Sequence, residues 1–123
     1  MAHKDMELRL AGLPDEDEPS IRDWQSFHES LDREKGFDTD ILRNVAYLSA
    51  EIGEVVAAIR DLKRANNESE IETARESLGD ELADCLAYIL KLSNYAGIDL
   101  QAAYTRKMQQ NLVRTWRKKQ GII

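Results

Sequence analysis

Two short acidic clusters with helical spacing constrain this 123-residue chain more than any other feature. Glu51 and Glu54 form the first pair, and Glu81 and Asp84 form the second. Side chains three residues apart share one face of a helix, so each pair predicts two carboxylates side by side. Residues 55–80 lie between the pairs, which is enough chain for a helix to end, turn and return. The pattern predicts a helical hairpin that brings four carboxylates together.

The apolar residues of the two helices support this hairpin. At about 100° per residue, they fall in one arc beside the acids of each helix. They are Ile41, Leu48, Ile52, Val55, Ile59 and Leu62 in one helix and Leu78, Leu82, Cys85, Ile89 and Leu92 in the other. Gly53 and Gly79 lie beside the acid pairs, where a glycine within a helix costs about 1 kcal/mol relative to alanine. We therefore expect close backbone approach or room for a ligand at both glycines.

Capping and turn residues divide the rest of the chain into four predicted helices. These span residues 20–36, 39–65, 69–95 and 99–118. Ser20 with Asp23, and Ser69 with Glu72, have the spacing of capping boxes. Gly97 suits the left-handed position that follows a helix. No segment alternates like a β-strand, so the sequence predicts an all-α four-helix bundle, with its domain at residues 20–119.

The composition excludes several classes of protein. Residues 1–19 contain an acidic run between two prolines and predict a flexible tail, because they can bury little apolar surface. A net charge of −6 gives no reason to expect binding of a polymeric nucleic acid. The single Cys85 excludes an internal disulfide and favours a reducing compartment. With no signal-peptide pattern and no apolar run near the ~20 residues of a membrane span, we expect a cytoplasmic protein without membrane contact.

The four carboxylates predict a site for a hard divalent cation. Clustered acids repel one another unless a cation lies between them. Ligand sets made only of oxygen prefer Mg²⁺, with Mn²⁺ as a possible substitute. A ferritin-like di-iron bundle needs Glu-x-x-His pairs, and neither His3 nor His28 has that spacing. One acid pair alone would be typical of a solvated helix face, but two pairs in matching positions favour a metal site.

These motifs, taken in chain order, resemble those of a known family. Residues 50–55 and 80–84 are similar to the E-x-x-E and E-x-x-D pairs of the MazG-like all-α nucleoside triphosphate pyrophosphohydrolases. Residues 107–111 match the K-x-x-x-N element of that family, and Arg114 follows as a basic residue does there. The dCTP pyrophosphatase branch is similar over nearly all of residues 20–116. The chain departs from many members at Ala50, where those members have a glutamate.

The resemblance implies a Mg²⁺-dependent enzyme that cleaves (d)NTPs between the α and β phosphates and clears unwanted nucleotides. It also implies a homo-oligomer, either a dimer or a tetramer. The implied metal ligands and catalytic residues are Glu51, Glu54, Glu81 and Asp84, one of which would also activate the attacking water. The implied substrate contacts are Lys107, Asn111 and Arg114 for the triphosphate and His28, Phe37 and Tyr88 for the base. Phe37 stands where the dCTP branch has a tryptophan.

Other assignments stay open from the sequence. A dUTPase or a phosphoribosyl-ATP pyrophosphohydrolase would belong to the same superfamily, although the K-x-x-x-N element disfavours the latter. A non-enzymatic helical interaction module would not need Lys107 and Asn111 to face the acids. A metal-stabilised structural bundle would bind a cation but no nucleotide. The basic residues of the last helix could serve only to complement the helix dipole and not to bind a triphosphate. His28 lies on an apolar stripe, so it could be a core residue and not a base contact.

Overall fold

A computed structural model describes residues 18–114 and shows four α-helices in this range. They are α1 (Ile21–Lys35), α2 (Ile41–Arg64), α3 (Glu68–Tyr95) and α4 (Leu100–Arg114). The described range contains no β-strand, so the predicted all-α four-helix fold is confirmed. Residues 1–17 of the predicted tail, and the predicted end of the fourth helix near Lys118, lie outside the described residues.

Side-chain caps determine where the helices begin. The Ser20 hydroxyl accepts a hydrogen bond from the Asp23 backbone, and the Asp23 carboxylate accepts one from the Ser20 backbone, which completes the predicted capping box of α1. The predicted capping box at Ser69 was wrong, because the N-cap of α3 is Asn67. The Asn67 side chain accepts from the Glu70 backbone at 2.9 Å, and Glu70 accepts from the Asn66 backbone at 2.9 Å. Asparagine caps helices as well as serine does, so the helix begins at the first suitable residue.

Two glycines occupy the turns that follow α1 and α3, as predicted. Gly36 and Gly97 have φ angles of 66° and 69°, in the left-handed region that L side chains rarely adopt. The Gly36 backbone N–H donates to the carbonyl of Asp32, which ends α1. These turns allow the chain to reverse within a few residues, so consecutive helices lie beside each other.

The closest pair of helices is α2 and α3, which pack against each other as the predicted hairpin. The prediction was wrong for five residues of the apolar arcs, Ile41, Ile52, Ile59, Leu82 and Ile89, which stay exposed. The helix α1 packs on α3, and α4 packs mainly on α1. A buried amide, Gln25, joins α1 to the connection between α3 and α4. Its Nε2 donates to Asn94 at 3.1 Å and to the Ile98 carbonyl at 2.8 Å, and its Oε1 accepts from the Leu100 backbone at 2.9 Å. This network fixes α1 against the end of α3 and the turn that leads to α4.

Few apolar side chains are fully buried in the described part of the chain. The buried apolar residues are Ala58, Ala74 and Leu90. Larger apolar side chains on one face of α2 and one face of α3 stay exposed, and we call them the apolar stripes. They are Leu42, Val45, Ile52, Val56 and Ile59 on α2 and Leu82, Leu86 and Ile89 on α3. The apolar surface of the hairpin is therefore wider than the contact between its two helices can cover.

Candidate metal centre

Three carboxylates converge where α2 and α3 pack together. One oxygen each from Glu51, Glu81 and Asp84 lies within 4.8 Å of the others. Glu51 and Glu81 are partly buried against the hairpin, and Asp84 is exposed. Hard divalent cations bind carboxylate oxygens at about 2.0–2.6 Å, so one ion between the three oxygens fits this spacing. The absence of nitrogen or sulfur ligands suits Mg²⁺ or Mn²⁺ better than softer metals.

The electrostatics of the cluster also suit a cation. Burial raises the pKa of Glu81 above its usual value, and the negative charges of Glu51, Glu54, Asp84 and Asp80 raise it further. The charged form of Glu81 is therefore disfavoured by the same groups that would bind a metal with it. A divalent cation reverses this effect because it replaces repulsion between carboxylates with attraction to a shared positive charge.

Glu54 occupies a different place from the other three predicted ligands. It is exposed, and it does not belong to the group of oxygens that lie within 4.8 Å of one another. Its charge nevertheless acts on Glu81. Apart from the neighbouring residues and backbone of its own helix, no atom of the described chain lies within 4 Å of where a Cβ would stand on Gly53 or Gly79. Close backbone approach within the chain is thus the wrong explanation for these glycines, and open space beside the acids is what the structure shows.

An aromatic cluster adjoins the carboxylates. Tyr88 follows Asp84 by one helical turn on α3, and the charges of Glu51 and Asp84 add to burial in raising the pKa of its phenol. The Phe37 side chain, in the turn between α1 and α2, is 49% exposed. The Lys91 ammonium lies 5.3 Å from the centre of the Tyr88 ring and 5.4 Å from the centre of the Phe37 ring. Two of the predicted base contacts are therefore linked by a lysine.

The sequence-based prediction missed the ion pair that holds this lysine. Lys91 Nζ lies 3.2 Å from Asp32 Oδ1, and the Tyr95 hydroxyl donates to Asp32 Oδ2 at 2.6 Å. His28, also on α1, has its pKa lowered by burial, while the Asp32 charge raises it and the Lys91 charge lowers it. The sequence contained a signal for Asp32. It follows His28 by four residues, so a charged side chain lies on the otherwise apolar face of α1.

The predicted triphosphate contacts lie on α4, away from the centre of the hairpin. Lys107 is exposed, whereas Asn111 is only 6% exposed. The Asn111 Oδ1 accepts from Arg114 at 3.2 Å, and its buried Nδ2 has no hydrogen-bond partner among residues 18–114. In the same range, none of the three residues forms a hydrogen bond or ion pair with the clustered carboxylates. Within residues 18–114, Lys107 and Asn111 therefore make no polar contact with the clustered acids.

No helix within residues 18–114 is long and apolar enough to cross a membrane.

Comparisons with known proteins agree with the motifs. The family model of the MazG nucleotide pyrophosphohydrolase domain matches residues 39–114, which include α2, α3 and α4 but not α1. Searches of curated proteins and of solved structures returned no match. The similarity to the dCTP pyrophosphatase branch stays a prediction. With both acid pairs and the α4 element inside the matched range, the chain belongs to the MazG family of nucleotide pyrophosphohydrolases, which are hydrolases acting on acid anhydrides.

Proposed function

We propose that this chain is a Mg²⁺-dependent enzyme that cleaves (d)NTPs to a (d)NMP and pyrophosphate and removes unwanted nucleotides from the cellular pool. The observation that carries this proposal is the convergence of Glu51, Glu81 and Asp84 within 4.8 Å, on two helices inside the family match. A bound divalent ion neutralises phosphate charge and lowers the pKa of a coordinated water. Mn²⁺ satisfies the same oxygen ligands and would serve as a substitute.

The residues of the chain divide the remaining tasks by position. The three converging carboxylates would hold the ion, and the exposed Glu54, whose charge acts on Glu81, would orient the attacking water or accept its proton. The aromatic cluster beside Asp84 provides a surface on which a base can stack. The side chains that would contact the substrate are His28, Phe37 and Tyr88 at the base and Lys107, Asn111 and Arg114 at the triphosphate.

We also propose that the active form is a homo-oligomer, with dimer and tetramer as the candidates. The apolar stripes support it, because monomeric proteins rarely expose apolar surface of this extent. A second copy of the chain that covered these stripes would enlarge a core in which few apolar side chains are buried. An oligomer would also allow the α4 residues of one copy to approach the carboxylates of another.

The test of the activity is pyrophosphate release from a panel of NTPs and dNTPs, measured with Mg²⁺, with Mn²⁺ and with a chelator. We expect metal-dependent release of pyrophosphate together with an equal amount of monophosphate. The ranking of substrates separates a dUTPase from a dCTP pyrophosphatase. No release from any substrate would reject an enzymatic role, and release that continues in the chelator would reject the metal requirement.

Variants of the carboxylates test the site itself. Glu54→Gln and Asp84→Asn should each lower kcat by at least about a hundredfold, because each removes a charge that a metal or an attacking water requires. Glu76→Gln removes a carboxylate from an exposed position of α3 outside the cluster and serves as the matched control. Circular dichroism would verify that all three variants keep their helices. Full activity in both site variants would contradict the assignment.

A further inference from the structure

A buried ion pair joins α1 to α3. The side chains of Lys91 and Asp32 are 12% and 6% exposed. Removing two charges from water is costly, and replacing such a pair with apolar residues is often neutral or stabilising. Fold stability alone therefore does not explain why this position carries charges.

The hydrogen-bonding capacity of the pair is unequal. Both carboxylate oxygens of Asp32 are engaged, one by Lys91 and the other by the Tyr95 hydroxyl. The Lys91 ammonium has three N–H donors and no acceptor, and Asp32 is its one ion-pair partner among residues 18–114. Donor capacity thus remains on Lys91, beside the rings of Phe37 and Tyr88.

The position of Lys91 relative to the clustered carboxylates determines which part of a bound nucleotide it would contact. Asp84, Tyr88 and Lys91 follow one another at intervals of four and three residues, so they lie on one face of α3. Lys91 is about 10.5 Å farther along the helix axis than Asp84, at 1.5 Å per residue. A nucleotide with its phosphates at the carboxylates would extend along this face and place its base at the two rings. The base edge farthest from the sugar, position 4 of a pyrimidine or position 6 of a purine, would then point toward Lys91.

We propose that Lys91, positioned by Asp32, selects nucleotides whose base carries a carbonyl at that distal edge. This inference rests on the proposed function and names the substrate class of the same site. An ammonium donates to the carbonyl oxygen of uracil, thymine, guanine or hypoxanthine, but it cannot accept from the amino group of cytosine or adenine. The selection therefore points away from the cytosine base that resemblance to the dCTP branch implies. A hydrogen bond to a charged group corresponds to a preference of about tenfold to a hundredfold.

The experiment compares kcat/KM for two substrate pairs with the full chain and Mg²⁺: dUTP against dCTP, and dITP against dATP. Within each pair the bases differ at the distal edge. We expect the wild-type protein to prefer the carbonyl member of both pairs by about tenfold or more. In an Asp32→Asn/Lys91→Met variant the ratio should approach one, chiefly because the carbonyl substrate is turned over less efficiently.

The double substitution is chosen so that the protein still folds. Lys91→Met alone would leave a buried, unpaired carboxylate, whereas Asp32→Asn removes that charge and keeps an oxygen for the Tyr95 hydroxyl. Lys91→Arg keeps a donor-only cation and should retain the wild-type preference. Lys63→Met, which removes an exposed lysine near the end of α2, is the matched control and should leave the ratio unchanged.

The outcomes separate this inference from the proposed function. Pyrophosphate release with a wild-type ratio at or below one, or a ratio that survives the double substitution, would overturn the role of Lys91 and leave the hydrolase intact. No release from any nucleotide would overturn both. Loss of discrimination in the double variant, with retained turnover of dCTP and dATP, is the result that supports the inference.

Discussion

Glu81 shows at the scale of a single residue how clustered carboxylates oppose folding. Its pKa is raised in the folded protein, by burial first and by neighbouring carboxylates second. The folded state therefore binds this proton more tightly than the unfolded chain does. Stability is favoured at pH values below the unfolded pKa and is lost as the pH rises through the folded pKa. At neutral pH without metal, the charged cluster works against the native state.

We expect Glu81→Gln to raise the Tm of the metal-free protein at pH 7 by a few degrees. The amide has the size of the carboxylate but removes one charge from the repelling group. The increase should shrink at pH values below the usual pKa of a glutamate, where the wild-type side chain is protonated. Thermal unfolding in a chelator at the two pH values measures both effects.

The same variant also tests where the metal binds, through the effect of Mg²⁺ on the Tm. Adding Mg²⁺ should raise the Tm of the wild-type protein and have a much smaller effect on Glu81→Gln, because a ligand that binds only the folded state stabilises it. The Glu76→Gln variant should respond to Mg²⁺ as the wild-type protein does. An equal Mg²⁺ response in Glu81→Gln would place the metal elsewhere.

At the scale of the element, local signals in the sequence were sufficient for most of the fold. The capping box of Ser20 and the left-handed turns at Gly36 and Gly97 depend on residues within a few positions of each other, so the helices and their turns could be predicted. The start of α3 was misplaced because Ser69 and Glu72 have the spacing of a capping box, whereas the Asn67 side chain is the actual cap.

Asn67→Ala tests that cap. Loss of the side-chain bond to the Glu70 backbone should lower the free energy of unfolding by about 1 kcal/mol. Ser69→Ala, at the position that the sequence favoured, should change it by less than about 0.5 kcal/mol. Urea unfolding monitored by circular dichroism would measure both values. The reverse order would restore the serine as the cap.

The site was harder to predict than the helices because it depends on pairing between elements. The convergence of Glu51 with Glu81 and Asp84 could be inferred, since a hairpin with matched registers leaves few alternatives. The position of Asp32 on the apolar stripe of α1 was visible in the sequence, but its pairing with Lys91 was not, because the pair joins α1 to α3 across a contact that no local pattern specifies.

At the scale of the whole molecule, the apolar stripes leave one chain incomplete. Apolar side chains at regular helical spacing normally face another element, and here Val56 and Leu86 remain 55% and 53% exposed. Burial of a side chain of this size contributes about 1.5–3 kcal/mol, so a partner that covers the stripes would add substantially to a small core. Stability and assembly are therefore expected to be linked.

Val56→Glu and Leu86→Glu test the assembly. Each places a charge in the surface proposed to meet a second copy, so we expect a shift toward monomer, a lower Tm and reduced activity. Thr73→Glu introduces the same charge at an exposed position of α3 outside the stripes and should leave all three unchanged. Light scattering coupled to size-exclusion chromatography gives the mass. A wild-type protein that is monomeric at micromolar concentration would contradict the oligomer.

The attachment of α1 has a consequence for how such an enzyme can diversify. The family match begins after this helix, yet α1 carries Asp32 and His28 and is fastened to the α3–α4 connection through Gln25. The three converging carboxylates thus lie inside the matched domain, whereas two of the side chains near the proposed base position, Asp32 and His28, come from a helix outside it. Mutations in α1 could change which nucleotide is destroyed while the chemistry of destruction is inherited intact.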